Sequence, residues 1–328
     1  MEKLNPNYGG MQYNRCGNSG VLLPALSLGL WHNFGDTTPF EVSQAIARTA
    51  FEAGITHFDL ANNYGPEPGA AERFMGKMIQ ADFKPHRDEL FISTKAAYDM
   101  WDGPYGSWAS RKHLMASLDQ SLRRMNLDYV DLFYCHRYDP ETPLEETLQA
   151  LVDIVRAGKA LYIGLSRWPL EAARQGYDYL KQQHVPCLIY QGRLNLFDRA
   201  PITERTLPDA MAHGAGFIAF SPLAQGLLTD RYLNGIPEDS RMARDGRFLH
   251  ADALTEQRLQ QIRRLNDIAT ERGESLASMA LNWILHQKGV TSVLIGASSP
   301  EQLRKNLACL SSPPFTGKQL AAISKTLE

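Results

Sequence analysis

Short apolar runs that each end in a polar side chain recur along this chain, and that recurrence restricts the fold more than any other feature. The run 55–60 carries Asp59 near its end and is followed by Tyr64, the run 90–95 delivers Lys95, and the run 130–136 delivers His136. Further runs lie at 25–31, 160–166, 187–191, 217–221 and 291–296. From the second run on, the polar ends at 59, 95, 136, 166, 191, 221 and 296 are separated by 36, 41, 30, 25, 30 and 75 residues. All but the last gap suit one strand–helix unit, and the last leaves room for an insertion and an extra helix. Strands buried on both faces read as unbroken apolar runs, and eight of them alternating with helices favour a closed (β/α)8 TIM barrel over an open doubly wound sheet.

Between the runs, apolar residues recur at helical spacing. Val42, Ile46, Ala50 and Ala53 form one stripe. Thr38-Pro-Phe-Glu41 predicts a capping box ahead of it, with Gly54 as the stop. Thr142-Pro-Leu-Glu145 repeats that signature ahead of Leu148, Leu151, Val152 and Val155, with Gly158 closing. Ser110 is predicted to start a helix bearing Leu114, Leu118, Leu122 and Met125. Other helices are expected at about 69–80, from Pro169, at 255–272 and 275–287, after Ser299-Pro-Glu-Gln302, and in a C-terminal extension from Gly317. Residues 222–250 show no clear period. Residues 11–24 read as two short β pieces around Gly17-Asn-Ser-Gly20, an N-terminal hairpin placed to plug the barrel floor. No linker, repeat or low-complexity tract intervenes, so residues 1–328 are expected to form one domain.

Lys+Arg 34 against Asp+Glu 36 leaves a net charge of -2, which offers no basic footprint for nucleic acid or an anionic membrane. Cys16, Cys135, Cys187 and Cys309 are scattered without CxxC spacing, and no strand carries an HxH pair, so neither a zinc site nor a disulfide framework is expected. No run approaches the ~18 apolar residues of a membrane span, and the N-terminus lacks a signal-peptide core. A cytoplasmic location is the expectation.

Asp59, Tyr64, Lys95 and His136 form a proton-handling set where a parallel barrel builds its active site. Tyrosine is a weak acid, and a neighbouring ammonium favours the phenolate, so Lys95 is expected to lower the Tyr64 pKa, with Asp59 keeping the lysine charged. His136 is placed to donate a hydrogen bond to a substrate oxygen. Each residue alone has a plainer role: an Asp at a strand end often caps a turn, and a single His is often structural. A second feature is independent of the first. Gly296-Ala-Ser-Ser299 leads from a strand into a capped helix, a suitable place for an anion, and Ser221-Pro-Leu-Ala-Gln-Gly226 adds another small-residue surface nearby. Two such surfaces suit a bisphosphate cofactor.

His57-Phe-Asp59-Leu-Ala-Asn-Asn-Tyr64-Gly65, Ile92-Ser-Thr-Lys95, Tyr134-Cys-His136, Gly164-Leu-Ser166, Ser221-Pro-Leu223 and Ile295-Gly-Ala-Ser298 with Gln302 and Asn306 resemble the aldo-keto reductase superfamily, in order over essentially the whole chain. The branch most resembled is that of the bacterial L-glyceraldehyde-3-phosphate reductases, related to potassium-channel β subunits through Ser166-Arg-Trp168. The resemblance implies NADPH across the strand ends and hydride transfer from nicotinamide C4 to a carbonyl carbon. Tyr64 would be the proton donor, tuned by Lys95 and Asp59, and His136 would orient the carbonyl. Ser166, Arg167 and Gln191 would hold the carboxamide side, with Asp59 and Trp31 close by. Phe220 would back the nicotinamide ring, and Ser221, Pro222, Leu223, Gln225 and Gly226 would wrap the pyrophosphate. Gly296, Ser298, Gln302 and Asn306 would reach the adenosine end, with Arg231 and Arg241 near the 2′-phosphate.

Three positions depart from the family pattern. Many relatives carry Asn where Arg167 stands and Tyr or Trp where Phe220 stands. Ser299 stands where close relatives often have Arg, which removes a guanidinium from the 2′-phosphate pocket. The pocket for a small-molecule carbonyl substrate is expected from Trp31, Tyr64, Tyr98, Trp101, His136 and Trp108, and no side chain for a substrate phosphate stands out. The favoured function is reduction of small aldehydes, including L-glyceraldehyde 3-phosphate and methylglyoxal-type carbonyls. Two alternatives are a Schiff-base lyase using Lys95 and a cofactor-sensing binding subunit. Relatives suggest a homo-oligomer, a tetramer among the possibilities.

Overall fold

The computed structural model describes residues 4–65, 67–233, 235–236 and 254–328. An antiparallel hairpin, β1 (Tyr13–Arg15) and β2 (Leu22–Pro24), precedes the barrel. The chain then runs β3 (Leu26–Gly29), α1 (Phe40–Glu52), β4 (His57–Asp59), α2 (Ala70–Met78), β5 (Phe91–Ala96), α3 (Arg111–Met125) and β6 (Val130–Cys135). It continues α4 (Leu144–Arg156), β7 (Ala160–Ser166), α5 (Leu170–Gln182), β8 (Cys187–Arg193), α6 (Ala200–Thr203), α7 (Thr206–Ala212) and β9 (Gly216–Phe220). It ends α8 (Glu256–Glu271), α9 (Leu276–Leu285), β10 (Val290–Ile295), α10 (Pro300–Leu307) and α11 (Gly317–Leu327). Strand β10 pairs in parallel with both β9 and β3, so the eight-stranded sheet closes into the (β/α)8 barrel with no free edge.

The hairpin does plug the floor. Leu23 and Cys16 are fully buried in one cluster with Leu132, Tyr134, Leu188, Ile189, Ile218 and Leu294. The Cys16 thiol donates to the Leu188 carbonyl at 3.4 Å. Gly17 (φ +54) approaches so closely that a Cβ there would meet the Gly214 carbonyl oxygen at 2.1 Å, which explains why the turn uses glycine.

Helix stops behave as expected, with Gly54 and Gly158 left-handed just past α1 and α4. The two threonine capping boxes do not form. Pro39 and Pro143 are themselves the N-cap residues, in extended backbone and without a side-chain cap, so each threonine stands one position too early. The Thr142 hydroxyl instead donates to Asp139 Oδ2 at 2.6 Å. Ser110, Ser299 and Thr316 do cap their helices. The short helices α6 and α7, which the apolar spacing does not announce, fill the β8–β9 connection. Within 222–250 the described residues hold 3-10 turns at Ala224–Gly226 and Asp230–Tyr232.

Alternate strand residues share a face, and the barrel interior divides accordingly. One side is apolar, with Leu132, Ile189, Ile218 and Leu294. The other is a buried polar wall: Ser27, His57, Asp59, Ser93, Lys95 and Ser292 are each no more than 1% exposed.

Candidate active site

Register brings the polar wall together. Asp59 on β4 stands opposite Ser93 on β5, and Lys95, two residues further along, faces the same way. Lys95 Nζ donates to Asp59 Oδ2 at 2.5 Å, to the Leu60 carbonyl at 2.7 Å and to the Tyr64 hydroxyl at 3.4 Å. Asp59 Oδ1 accepts from Ser93 Oγ at 2.8 Å and from Gln191 Nε2 at 3.1 Å. The fully buried ammonium therefore has an acceptor for each of its three protons, and both carboxylate oxygens are engaged. Tyr64 reaches this point from the loop after β4. Gly65 (φ +104) makes the turn possible, since a Cβ there would strike Ala70 at 2.6 Å. His136 follows β6, its backbone N–H bonded to the Ala96 carbonyl at 2.9 Å. Its ring meets Tyr64 edge-on at 5.7 Å. The structure thus brings Asp59, Tyr64, Lys95 and His136 to one mouth of the barrel.

The electrostatics correct one expectation. Burial pushes the Tyr64 hydroxyl well above its ordinary pKa, the Asp59 charge adds to this, and Arg167 opposes it. Desolvation of the phenolate is the largest influence, so Tyr64 is a protonated phenol and not an acidified one. Burial lowers the Lys95 pKa while Asp59 raises it. His136 is held well below the usual imidazole range, first by burial and then by the charges of Lys95, Arg167 and Arg137. It is a neutral ring near pH 7, with Nδ1 buried and unpartnered among the described residues.

Behind Asp59 lies a hydrogen-bonded chain that the motif reading passes over. His57 Nε2 lies 3.0 Å from Ser93 Oγ, and Nδ1 lies 2.8 Å from Ser27 Oγ, which is 2.6 Å from Ser292 Oγ. Ser93 gives its proton to Asp59, so it must accept from His57. That assigns the proton to Nε2 and makes Nδ1 an acceptor from Ser27. The signal was present in the strands as period-two polar pairs, His57 with Asp59 and Ser93 with Lys95.

The residues expected at a cofactor lie around the ends of β7 to β10 and β3. Ser166 and Gln191 are in register on β7 and β8. The Ser166 hydroxyl is buried without a partner among the described residues. Arg167 is left-handed (φ 57) and donates from its backbone to the Gln191 carbonyl at 3.3 Å. After the half-buried Phe220 come Ser221 (φ 53), Pro222, Leu223, Ala224 (φ 46), Gln225 (φ 58) and Gly226 (φ 105). Runs of left-handed residues build anion-binding concavities from backbone N–H groups. Asn195 Nδ2 holds this run by donating to the Ser221 carbonyl at 3.0 Å. After β10, a Cβ at Gly296 would meet open space. Gln302 Oε1 accepts from Ser298 N and Oγ at 2.7 and 2.9 Å, and Asn306 is buried with Nδ2 unpartnered among the described residues. Trp31 follows β3 with its ring 6.4 Å from Tyr64. Arg231 lies exposed in the second 3-10 turn, while Arg241 lies outside the described residues. Orphaned buried groups at Ser166 and Asn306, with the left-handed run at the end of β9 between them in strand order, fit a dinucleotide.

On the other side of His136, Tyr98 packs edge-on against the imidazole at 4.7 Å. Arg137, which sequence reading overlooked, places its guanidinium 4.4 Å from the Tyr98 ring and 3.7 Å from the Trp108 ring. Trp101 packs against His113 of α3 in a tilted contact, ring centroids 4.9 Å apart. No ring contact joins it to Tyr64 or His136 among the described residues. Among those residues there is also no group of three metal-ligating side chains, and no helix long and apolar enough to cross a membrane.

Comparison with known proteins identifies relatives of the chain. The profile of the aldo/keto reductase family matches residues 25–328. The chain is 55% identical over 321 residues to the L-glyceraldehyde 3-phosphate reductase of Escherichia coli (strain K12), covering 97% of this chain and 93% of that protein. It is 35% identical over 308 residues to a probable voltage-gated potassium channel subunit beta of Oryza sativa subsp. japonica, and 34% identical over 308 residues to one of Arabidopsis thaliana. Each of those matches covers 93% of both chains.

Proposed function

Because this chain belongs to the aldo/keto reductase family, we propose that it uses NADPH to reduce small aldehydes, among them L-glyceraldehyde 3-phosphate and methylglyoxal-type carbonyls. The observation that carries this reading is the buried Lys95 ammonium shared between Asp59, Leu60 and the protonated Tyr64 hydroxyl, beside a neutral His136. A bound NADPH supplies the hydride. The chain supplies the proton and the setting for it. His136 donates a hydrogen bond to the carbonyl oxygen and fixes its direction. Tyr64 passes its proton to that oxygen as charge develops, and the Lys95 ammonium offsets the charge left on the phenolate. Asp59, held by Ser93 and Gln191, keeps Lys95 charged against the cost of burial.

The same saturation argues against a Schiff-base lyase. An amine nucleophile needs a lone pair, whereas each Lys95 proton has its own acceptor and the side chain is fully buried. Ser166, Gln191, the 221–226 run, Gln302 and Asn306 would hold the cofactor. Fluorescence titration with NADPH and NADH, followed by a carbonyl panel with the tighter cofactor, tests the reading. Saturable NADPH binding with aldehyde-dependent oxidation is expected. Tight binding without turnover on any aldehyde would replace the enzyme reading with that of a cofactor-sensing subunit.

A further inference from the structure

Two guanidinium groups converge on Tyr98, which packs against His136, and a neutral aldehyde carries no charge for them to pair with. Arg137 is pinned in place. Its guanidinium carbon lies over both the Tyr98 and the Trp108 ring. Nε donates to the Ala97 carbonyl at 3.0 Å and Nη2 to Ser107 Oγ at 3.0 Å. Arg167 reaches the same tyrosine from β7, with Nη1 donating to the Tyr98 hydroxyl at 3.2 Å. Nη1 of Arg137, and Nε and Nη2 of Arg167, have no acceptor among the described residues. Among the described residues the one carboxylate paired with either is Asp99, 3.6 Å from Arg137 Nη2 and with its side chain 89% exposed. Tyr98 therefore links both cations to the imidazole it packs against.

The backbone is held in unusual form at this point. Ala97 (φ 133), Trp108 (φ 67) and Arg167 (φ 57) all have positive φ. The Ala97 carbonyl accepts from both Arg137 Nε and the Trp108 N–H. Such conformations cost free energy and persist where surrounding structure imposes them, commonly at ligand clamps. Strand order separates Tyr98 and Arg137 from the cofactor wall, while Arg167 follows β7 directly after Ser166, where the cofactor's carboxamide is expected, and so stands between the two. Tyr98 and Arg137 follow β5 and β6, whereas the pyrophosphate and adenosine surfaces follow β9 and β10.

We infer that Arg137 and Arg167 form an anion subsite that selects small aldehydes carrying a phosphate a few bonds from the carbonyl carbon. The inference rests on the reductase reading and supplies its specificity element. Forked N–H donors suit phosphate oxygens. Both charges also lower the His136 pKa, and Tyr98, which both arginines contact, packs against that imidazole at 4.7 Å.

The test compares kcat/KM for glyceraldehyde 3-phosphate and for unphosphorylated glyceraldehyde in the wild type, Arg137→Met, Arg167→Met and Asp99→Asn. The wild type is expected to favour the phosphorylated aldehyde by about tenfold or more, and each arginine variant to lose most of that ratio through KM. Asp99→Asn, which removes an exposed counter-charge, is expected to strengthen the preference about twofold. A wild-type ratio near one, or a ratio unchanged in Arg167→Met, overturns the subsite and leaves aldehyde reduction standing. If Arg137→Met does not fold, the exposed Arg167 and Asp99 variants decide the matter. Failure of the wild type to oxidise NADPH with either aldehyde would instead overturn the reductase reading.

Discussion

His57 Nε2 lies 3.0 Å from the hydroxyl of Ser93, deep in the polar wall, and this contact ties a fully buried imidazole to the acid end of the active site. Burial lowers the His57 pKa to about 4, against roughly 6.5 in the unfolded chain. Between those values the unfolded state binds a proton that the folded state refuses. The stability contributed is therefore complete above about pH 6.5 and is lost as the pH falls toward 4, a change on the order of 3 kcal/mol. Urea midpoints measured from pH 7.5 down to 4.5 are expected to fall steeply in the wild type and less steeply in His57→Gln. His136 is depressed in the same direction and is present in both proteins, so the difference between the two curves isolates His57. Parallel curves would mean that His57 is not buried as a neutral ring.

Tyr64 and Lys95 move in opposite directions: the phenol is raised and the ammonium lowered. Aldehyde reduction needs both groups protonated. Its alkaline limb is therefore expected to follow Lys95, below the ordinary lysine value of about 10.5, and not the phenol. Tyr64→Phe is expected to lower kcat by about 10²–10⁴-fold while leaving the NADPH fluorescence titration in place. Lys95→Met is expected to abolish the alkaline limb together with most of the rate. A Tyr64→Phe enzyme with near-normal kcat would remove Tyr64 from the donor role.

The buried pair Lys95–Asp59 also bears on stability. Among the described residues, Lys95→Met leaves the Asp59 carboxylate with only Ser93 and Gln191 as side-chain donors. Breaking one partner from a buried ion pair costs about 3–5 kcal/mol. The double variant Asp59→Asn/Lys95→Met removes the stranded charge and is expected to recover a large part of that loss in urea denaturation. Strictly additive losses would show that the pair is not coupled as its geometry requires.

The barrel was legible because parallel strands buried on both faces leave a strong trace: the polar ends at 59, 95, 136, 166 and 191 fall within one or two residues of the observed strand termini. The threonine capping boxes were misread because proline there takes the cap position itself. Helices α6 and α7 are too short to show a period. The Tyr64 acidity was misjudged because sequence pairs charges but does not weigh burial against them. Arg137 and His57 carried no signal alone. A single arginine after a strand is usually solvated, and only the register and the packing of Tyr98 and Trp108 show where its charge sits.

The hairpin makes a final separable claim. Leu22 and Leu23 are adjacent on β2, yet Leu23 is fully buried and Leu22 is 52% exposed, because successive strand residues face opposite ways. Leu23 fills the floor of the barrel against Leu132, Ile189, Ile218 and Leu294. These rigid strands cannot collapse into the space that truncation would leave. Leu23→Ala is therefore expected to cost about 2–5 kcal/mol, and Leu22→Ala no more than about 0.5 kcal/mol, each read from the urea midpoint at constant m-value. Equal, small effects at both positions would mean that the hairpin rests on the barrel without closing it.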